Sequence, residues 1–248
     1  MKSRPSNLTA RAVNVIPIVA VTAFVAYLLW QISIPNVSEI AKTISVRIDG
    51  ANTGSGAIVD SQGVGAAAPF KHRYFVLSNW HVVNSQRSAA SSALTIGTSD
   101  GRKHLVSKAK ITRVGNLDLA ILEFQSQYRY RVATIGNSDR LREGDFVYVS
   151  GWADPSPQIT TRTYQYLVGN LSGRIVRPLD GYGLVYTVNA LPGMSGGPVL
   201  DWRGNLVGIN GRATMDLRTG TVNSVLGIEI DRYLRASGNL PAQKWHKY

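Results

Sequence analysis

The chain has no cysteine, and that absence removes a disulfide framework, a thiolate zinc site and a cysteine nucleophile together. The hydrophobic core must hold the fold unaided. Acidic residues are scarce: 15 Asp and Glu stand against 27 Lys and Arg, a formal net charge of +12. A surplus of that size favours anionic lipid heads, acidic substrates or nucleic acid as partners, and says little about fold. Nucleic acid fits poorly, because the basic residues are scattered and form no arginine-rich run or reading module. Helical periodicity is nearly absent between Pro35 and Glu229. What the chain does have is 248 residues at 44% hydrophobic, enough to bury a sizeable core in one large domain or two small ones.

The longest apolar run, Ala12 to Ile34, carries no charge and ends near Trp30. Roughly 20 such residues cross a bilayer core as a helix. Lys2, Arg4 and Arg11 precede it, which places the N-terminus on the cytoplasmic side and exports the remainder. The alternative is a cleaved signal segment, although the run is long for one and no small-residue cleavage site follows.

Beyond Pro35 the chain reads as an all-β body. Short runs of β-branched, aromatic and aliphatic residues are bounded by Gly, Asn, Asp or Ser: Thr43 to Asp49, Tyr74 to Ser78, Asp118 to Phe124, Asp145 to Ser150, Leu184 to Asn189, Leu206 to Asn210 and Ser224 to Ile230. That spacing suggests barrels or sandwiches. Ala51 to Gly65 reads as turns and a hairpin, and Gly136 to Gly144 as a crossover between two halves. Asp231 is placed to cap a short helix through Leu234 and Ala236 before Gly238 and Pro241 stop it.

Three residues stand out chemically. Ser195 lies in Gly193-Met194-Ser195-Gly196-Gly197-Pro198, where glycines permit unusual backbone angles and close approach of a ligand. A nucleophilic serine needs both, since backbone N–H groups must point at the developing oxyanion. Read alone, the segment is equally a glycine-rich turn with a solvated serine. Of four histidines, only His81 follows an apolar strand, at the end of Phe75 to Trp80. The others read as solvated: His72 beside Lys71 and Arg73, His104 after Arg102 and Lys103, His246 in the tail. The plainer reading of His81 is a core histidine satisfied by a hydrogen bond. Asp118 heads the apolar run Leu119 to Leu122, so it is partly buried and needs a partner; the alternative is a turn cap after Asn116.

Taken in order, these segments resemble the chymotrypsin-like serine proteases, and most of all the bacterial branch that includes the HtrA-type enzymes. Gly54 to Val59 is similar to the first-barrel hairpin of that family, Ser78 to Val83 to its histidine motif, Asn116 to Leu122 to its aspartate motif, and Gly193 to Pro198 to its serine motif. Ile135 to Asp139 and Leu141 to Val147 resemble the passage into the second barrel. The resemblance covers roughly residues 39 to 233 and implies two six-stranded-type β-barrels, 36–140 and 141–248, behind an N-terminal segment of 1–35. It implies a serine endopeptidase acting on protein or peptide substrates, with His81 as base, Asp118 orienting it, Ser195 as nucleophile, and the Gly193 and Ser195 N–H groups as oxyanion hole. His81 must be unprotonated to act, so activity falls below a pH of about 6 to 7. No metal or organic cofactor is implied. A catalytically silent peptide-binding module is the competing function, and a basic membrane-surface adaptor a third.

The pattern also departs from the family. Met194 stands where the HtrA branch usually has Asn and the digestive proteases have Asp, so no carboxylate there can pair with a freshly cut N-terminus. The chain ends soon after the second barrel, which implies no PDZ domain. Asn189, six residues before the nucleophile, would floor the primary pocket and favour a small or medium uncharged side chain. Ile209, Asn210 and Gly211 would pair with substrate backbone as an added strand.

Overall fold

A computed structural model describes residues 35–64, 70–84, 94–215 and 222–238. The expected membrane segment and His246 lie outside these residues; among the described residues, no helix is long and apolar enough to cross a membrane.

The described chain opens with a helix, α1 (Val37–Ile44), where the periodicity had suggested a strand beginning at Thr43. Val37, Ile40, Ala41 and Ile44 form one buried stripe, and the Asn36 carboxamide caps the first turn by accepting from the Glu39 N–H at 3.1 Å. Eight residues are too few for the pattern to register against the strand-rich surroundings.

The first sheet comprises β1 (Ser45–Asp49), β2 (Thr53–Gly63), β3 (His72–Ser78), β4 (Leu94–Gly97), β5 (Lys103–Val106), β6 (Ile111–Arg113) and β7 (Ala120–Ser126). Their spatial order is β5-β4-β1-β2-β3-β7-β6. The ends roll toward one another: the His104 ring on β5 packs over Phe124 on β7 with centroids 4.6 Å apart. This corrects two expectations. The sheet has seven strands rather than six, and Thr53–Gly63 is one long bulged strand with its turn confined to residues 50–52. The glycine-rich sequence hid that strand because its small residues are needed for packing; a Cβ on Gly54 or Gly56 would collide with Val82 or Val76. A one-turn helix, α2 (Trp80–Val83), follows β3.

The second sheet closes as a six-stranded barrel in the order β10-β13-β12-β11-β8-β9, as expected. Its strands are β8 (Phe146–Ala153), β9 (Thr163–Arg174), β10 (Leu184–Tyr186), β11 (Pro198–Leu200), β12 (Leu206–Met215) and β13 (Val222–Glu229). The final helix, α3 (Ile230–Ala236), forms where expected, but Asp231 does not cap it; its carboxylate accepts from the N–H and hydroxyl of Ser138, in the crossover between the sheets.

One apolar cluster joins the two sheets. Leu77 and Ile121 from the first meet Leu206, Ile209 and Ile228 from the second, with α1 and α3 closing the sides. Each fully buried aliphatic chain contributes about 1.5 to 3 kcal/mol, so the two sheets are held as one body along this seam. The candidate site sits at its rim.

Candidate active site

The His81 side of the site is built by α2. Its first turn presents the His81 backbone N–H and imidazole on the same side, and both reach Asp118: the N–H donates to Oδ1 at 2.8 Å and Nδ1 lies 2.7 Å from Oδ2. The imidazole is 42% exposed and the carboxylate 6%. A substrate can therefore reach the ring while the carboxylate is kept from water. Asp118 is itself fixed through its main chain, accepting from Trp80 N–H at 3.1 Å and from the Asn79 carboxamide at 3.0 Å. Burial alone would raise the Asp118 carboxyl, but hydrogen bonds from His81 and Tyr182 outweigh it and hold the group below its ordinary value.

Ser195 comes from the turn between β10 and β11. Gly193 and Gly196 both have positive φ, +85° and +89°. At each, a Cβ would run into the neighbouring chain, Asp154 in the first case and the Ser55 carbonyl in the second. The turn is clamped from three directions. Ser55 N–H donates to the Ser195 carbonyl at 2.7 Å, Gly196 N–H to the Asn210 carbonyl at 2.8 Å, and the Asn210 carboxamide to the Met194 carbonyl at 3.0 Å. The Gly193 carbonyl faces inward, accepting from Ser55 Oγ at 2.8 Å. Among the described residues, the Gly193 and Ser195 N–H groups have no acceptor.

His81, Asp118 and Ser195 thus lie on three separate elements at the rim of one seam, and only two of them are in direct contact. Ser195 Oγ donates to the Gly211 carbonyl at 3.0 Å, with no hydrogen bond to His81. The Met194 side chain is fully buried in the second barrel, so this position fills core instead of facing a chain terminus. Asn189 is exposed in the segment before the turn.

The expected substrate strand is narrowed. Ile209 is buried and flanked by Pro198 and Ile228, while the Asn210 N–H and carbonyl are taken by Gly197 and Gly196. Neither offers a peptide a free backbone group. The open edge begins at Gly211, where β12 retains a partner only in β13. Asn210 is instead a structural link, donating to Met194 and accepting from the Tyr186 hydroxyl at 2.8 Å.

Tyr182 and Arg162 also bear on the site, and neither stands out in the sequence. Tyr182 is buried, and its hydroxyl donates to Asp118 Oδ2 at 2.6 Å. Arg162 reaches the Gly54, Trp152 and Gly193 carbonyls from a single guanidinium. No local pattern marks either, since their partners are distant in sequence. His104 also differs from expectation: it is half-buried against Phe124 and Tyr130, and burial pushes its imidazole below the ordinary value.

Comparison with known proteins identifies the family. Residues 54–209 match the family described as trypsin-like peptidase domain. The chain is 31% identical over 160 residues to the serine protease Do-like HtrA of Bacillus subtilis (strain 168), covering 60% of this chain and 33% of that protein. It is 28% identical over 158 residues to the periplasmic pH-dependent serine endoprotease DegQ of Escherichia coli (strain K12), covering 63% and 30%. The chain therefore spans about a third of the length of these curated relatives. Among solved structures, Deg5 superposes with a TM-score of 0.58 at 21% identity, covering 81% of this chain and 90% of that one. The HtrA-type protease AlgW with tripeptide gives 0.58 at 23%, covering 81% and 62%. With the family's span enclosing His81, Asp118 and Ser195 alike, the chain belongs to the trypsin-like peptidase domain family.

Proposed function

We propose that the chain is a serine endopeptidase in which Ser195 is the nucleophile, His81 the general base and Asp118 the group that orients it. The observation that carries this is the pairing of an accessible imidazole with a water-excluded carboxylate at 2.7 Å, beside a serine whose turn leaves two N–H groups uncommitted. The Ser195 hydroxyl turns from Gly211 to His81 Nε2, which takes its proton as Oγ bonds to the peptide carbonyl carbon. The oxyanion accepts from the Gly193 and Ser195 N–H groups, each such donor being worth about 100 to 1,000-fold in kcat. His81 then returns the proton to the amine as the C–N bond breaks, and water repeats the sequence on the acyl-enzyme.

The substrate backbone pairs with the open edge from Gly211 onward, and Asn189 sets a preference for small or medium uncharged side chains. Residues 12–34 anchor the chain, with 36–248 as an extracytoplasmic protease domain; the periplasmic relative and the basic flank support this placement.

A silent peptide-binding module is the second reading, favoured by Ser195 Oγ resting on Gly211 without a bond to His81. Cleavage of an unfolded protein substrate separates the two. The full chain is expected to cleave it and the Ser195→Ala and His81→Ala variants are not; retained binding without cleavage in all three supports the silent module.

A further inference from the structure

The Asp118 carboxylate is held by a second residue besides His81, and that residue belongs to the other barrel. Oδ2 receives both His81 Nδ1 at 2.7 Å and the Tyr182 hydroxyl at 2.6 Å. Tyr182 lies in the turn that ends the 3-10 segment Leu179–Gly181, and the same turn holds the Asp118 main chain, its Asp180 carbonyl accepting the Asp118 N–H at 3.0 Å. Asp180 adopts φ +54°, the single positive φ outside glycine among the described residues. Such a backbone costs about 1 to 3 kcal/mol and persists only where its surroundings impose it.

Two further features fix the phenol. The Arg212 guanidinium covers its ring at 4.5 Å while donating to Asp180 Oδ2 at 2.7 Å, which closes the turn over the tyrosine. Gly211 leaves the space its ring and hydroxyl occupy, since a Cβ there would collide with both. The Arg212 guanidinium also stands 3.8 Å from Asp118 Oδ2, a looser contact than the phenol's, and among the described residues no other side-chain hydroxyl or carboxamide hydrogen-bonds to that carboxylate. From this geometry we infer that Tyr182 is a positioning residue for the reaction: its hydroxyl fixes the plane of the Asp118 carboxylate and, through it, the His81 ring. Arg212 and Asp180 hold the phenol in place.

This rests on the endopeptidase reading, and its test separates the two. Tyr182→Phe in the full chain keeps the ring that fills the site and removes the hydroxyl alone. Freed from that bond, the carboxylate turns about its Cβ–Cγ bond and the bond to Nδ1 loosens. The downfield proton NMR signal of His81 Nδ1–H moves upfield and exchanges faster with solvent, and kcat for peptide hydrolysis falls about tenfold with KM changed less than about twofold. Gly211→Ala displaces the phenol and reproduces the NMR change. Tyr233→Phe, which removes a buried hydroxyl on α3 that makes no hydrogen bond to the triad, leaves both readouts at wild type. A Tyr182→Phe signal at the wild-type position, or moved downfield with kcat unchanged or raised, overturns the inference. If the wild type does not turn over yet the NMR change occurs, the endopeptidase reading fails, and what stands is that the Tyr182 hydroxyl fixes the Asp118–His81 pair.

Discussion

Asp118 is the member of the site most dependent on its surroundings, because burial penalises its charge and only named donors offset that penalty. Its folded value is depressed, so its contribution to stability is present above the ordinary carboxylate range and is lost as pH falls through the folded value. Asp118→Asn keeps the shape but presents the wrong hydrogen-bonding partner to Nδ1; kcat is expected to fall about 10,000-fold with the fold intact by circular dichroism. Asp60, on the β2 bulge, shows the opposite sign. One of its oxygens accepts from Ser61 N–H, the other is buried without a partner, and burial pushes the carboxyl up to about 6. Folding therefore favours its protonated form, and stability from this group falls as pH rises from about 4 to 6. Asp60→Asn should raise stability at pH 8 by about 2 to 3 kcal/mol in urea unfolding and make little difference at pH 4. Equal curves at pH 8 would contradict that assignment.

At the scale of elements, Arg162 does what no strand pairing does. Standing before β9 in the second barrel, with a side chain 8% exposed, it donates to Ile48 and Gly54 of the first sheet, to Trp152 on β8, and at 3.3 Å to Gly193 in the serine turn. It also pairs with Asp49 at 2.8 Å. A lysine cannot supply this planar fork, so Arg162→Lys is expected to cost about 3 kcal/mol in urea unfolding, a loss well beyond that of a surface pair. Little of this was legible in the sequence. Arg162 is up to 114 residues from its acceptors, and most of them are main-chain carbonyls with no residue signature. The same reason hid Tyr182, whose aspartate is 64 residues away. The histidine, aspartate and serine segments were legible because each carries its own local mark: a polar residue against an apolar strand, or a serine among glycines whose positive φ the fold requires.

For the whole molecule, the all-β character and the division into two sheets could be read from strand and turn spacing, and the closed second barrel follows the expected form. The short strands β4, β5 and β6 of the first sheet were not legible. They span three or four residues each, too few for alternation to show, and they are fixed by closing the sheet rather than by their own patterning. The seam between the sheets sets an accessible imidazole, a buried carboxylate and a serine at one rim. The most direct test is reaction of the full chain with a serine-directed fluorophosphonate, followed by intact mass and peptide mapping. A single adduct on Ser195 is expected, abolished by His81→Ala although the serine remains. No adduct on the folded wild type, or one that survives His81→Ala undiminished, would contradict an activated Ser195.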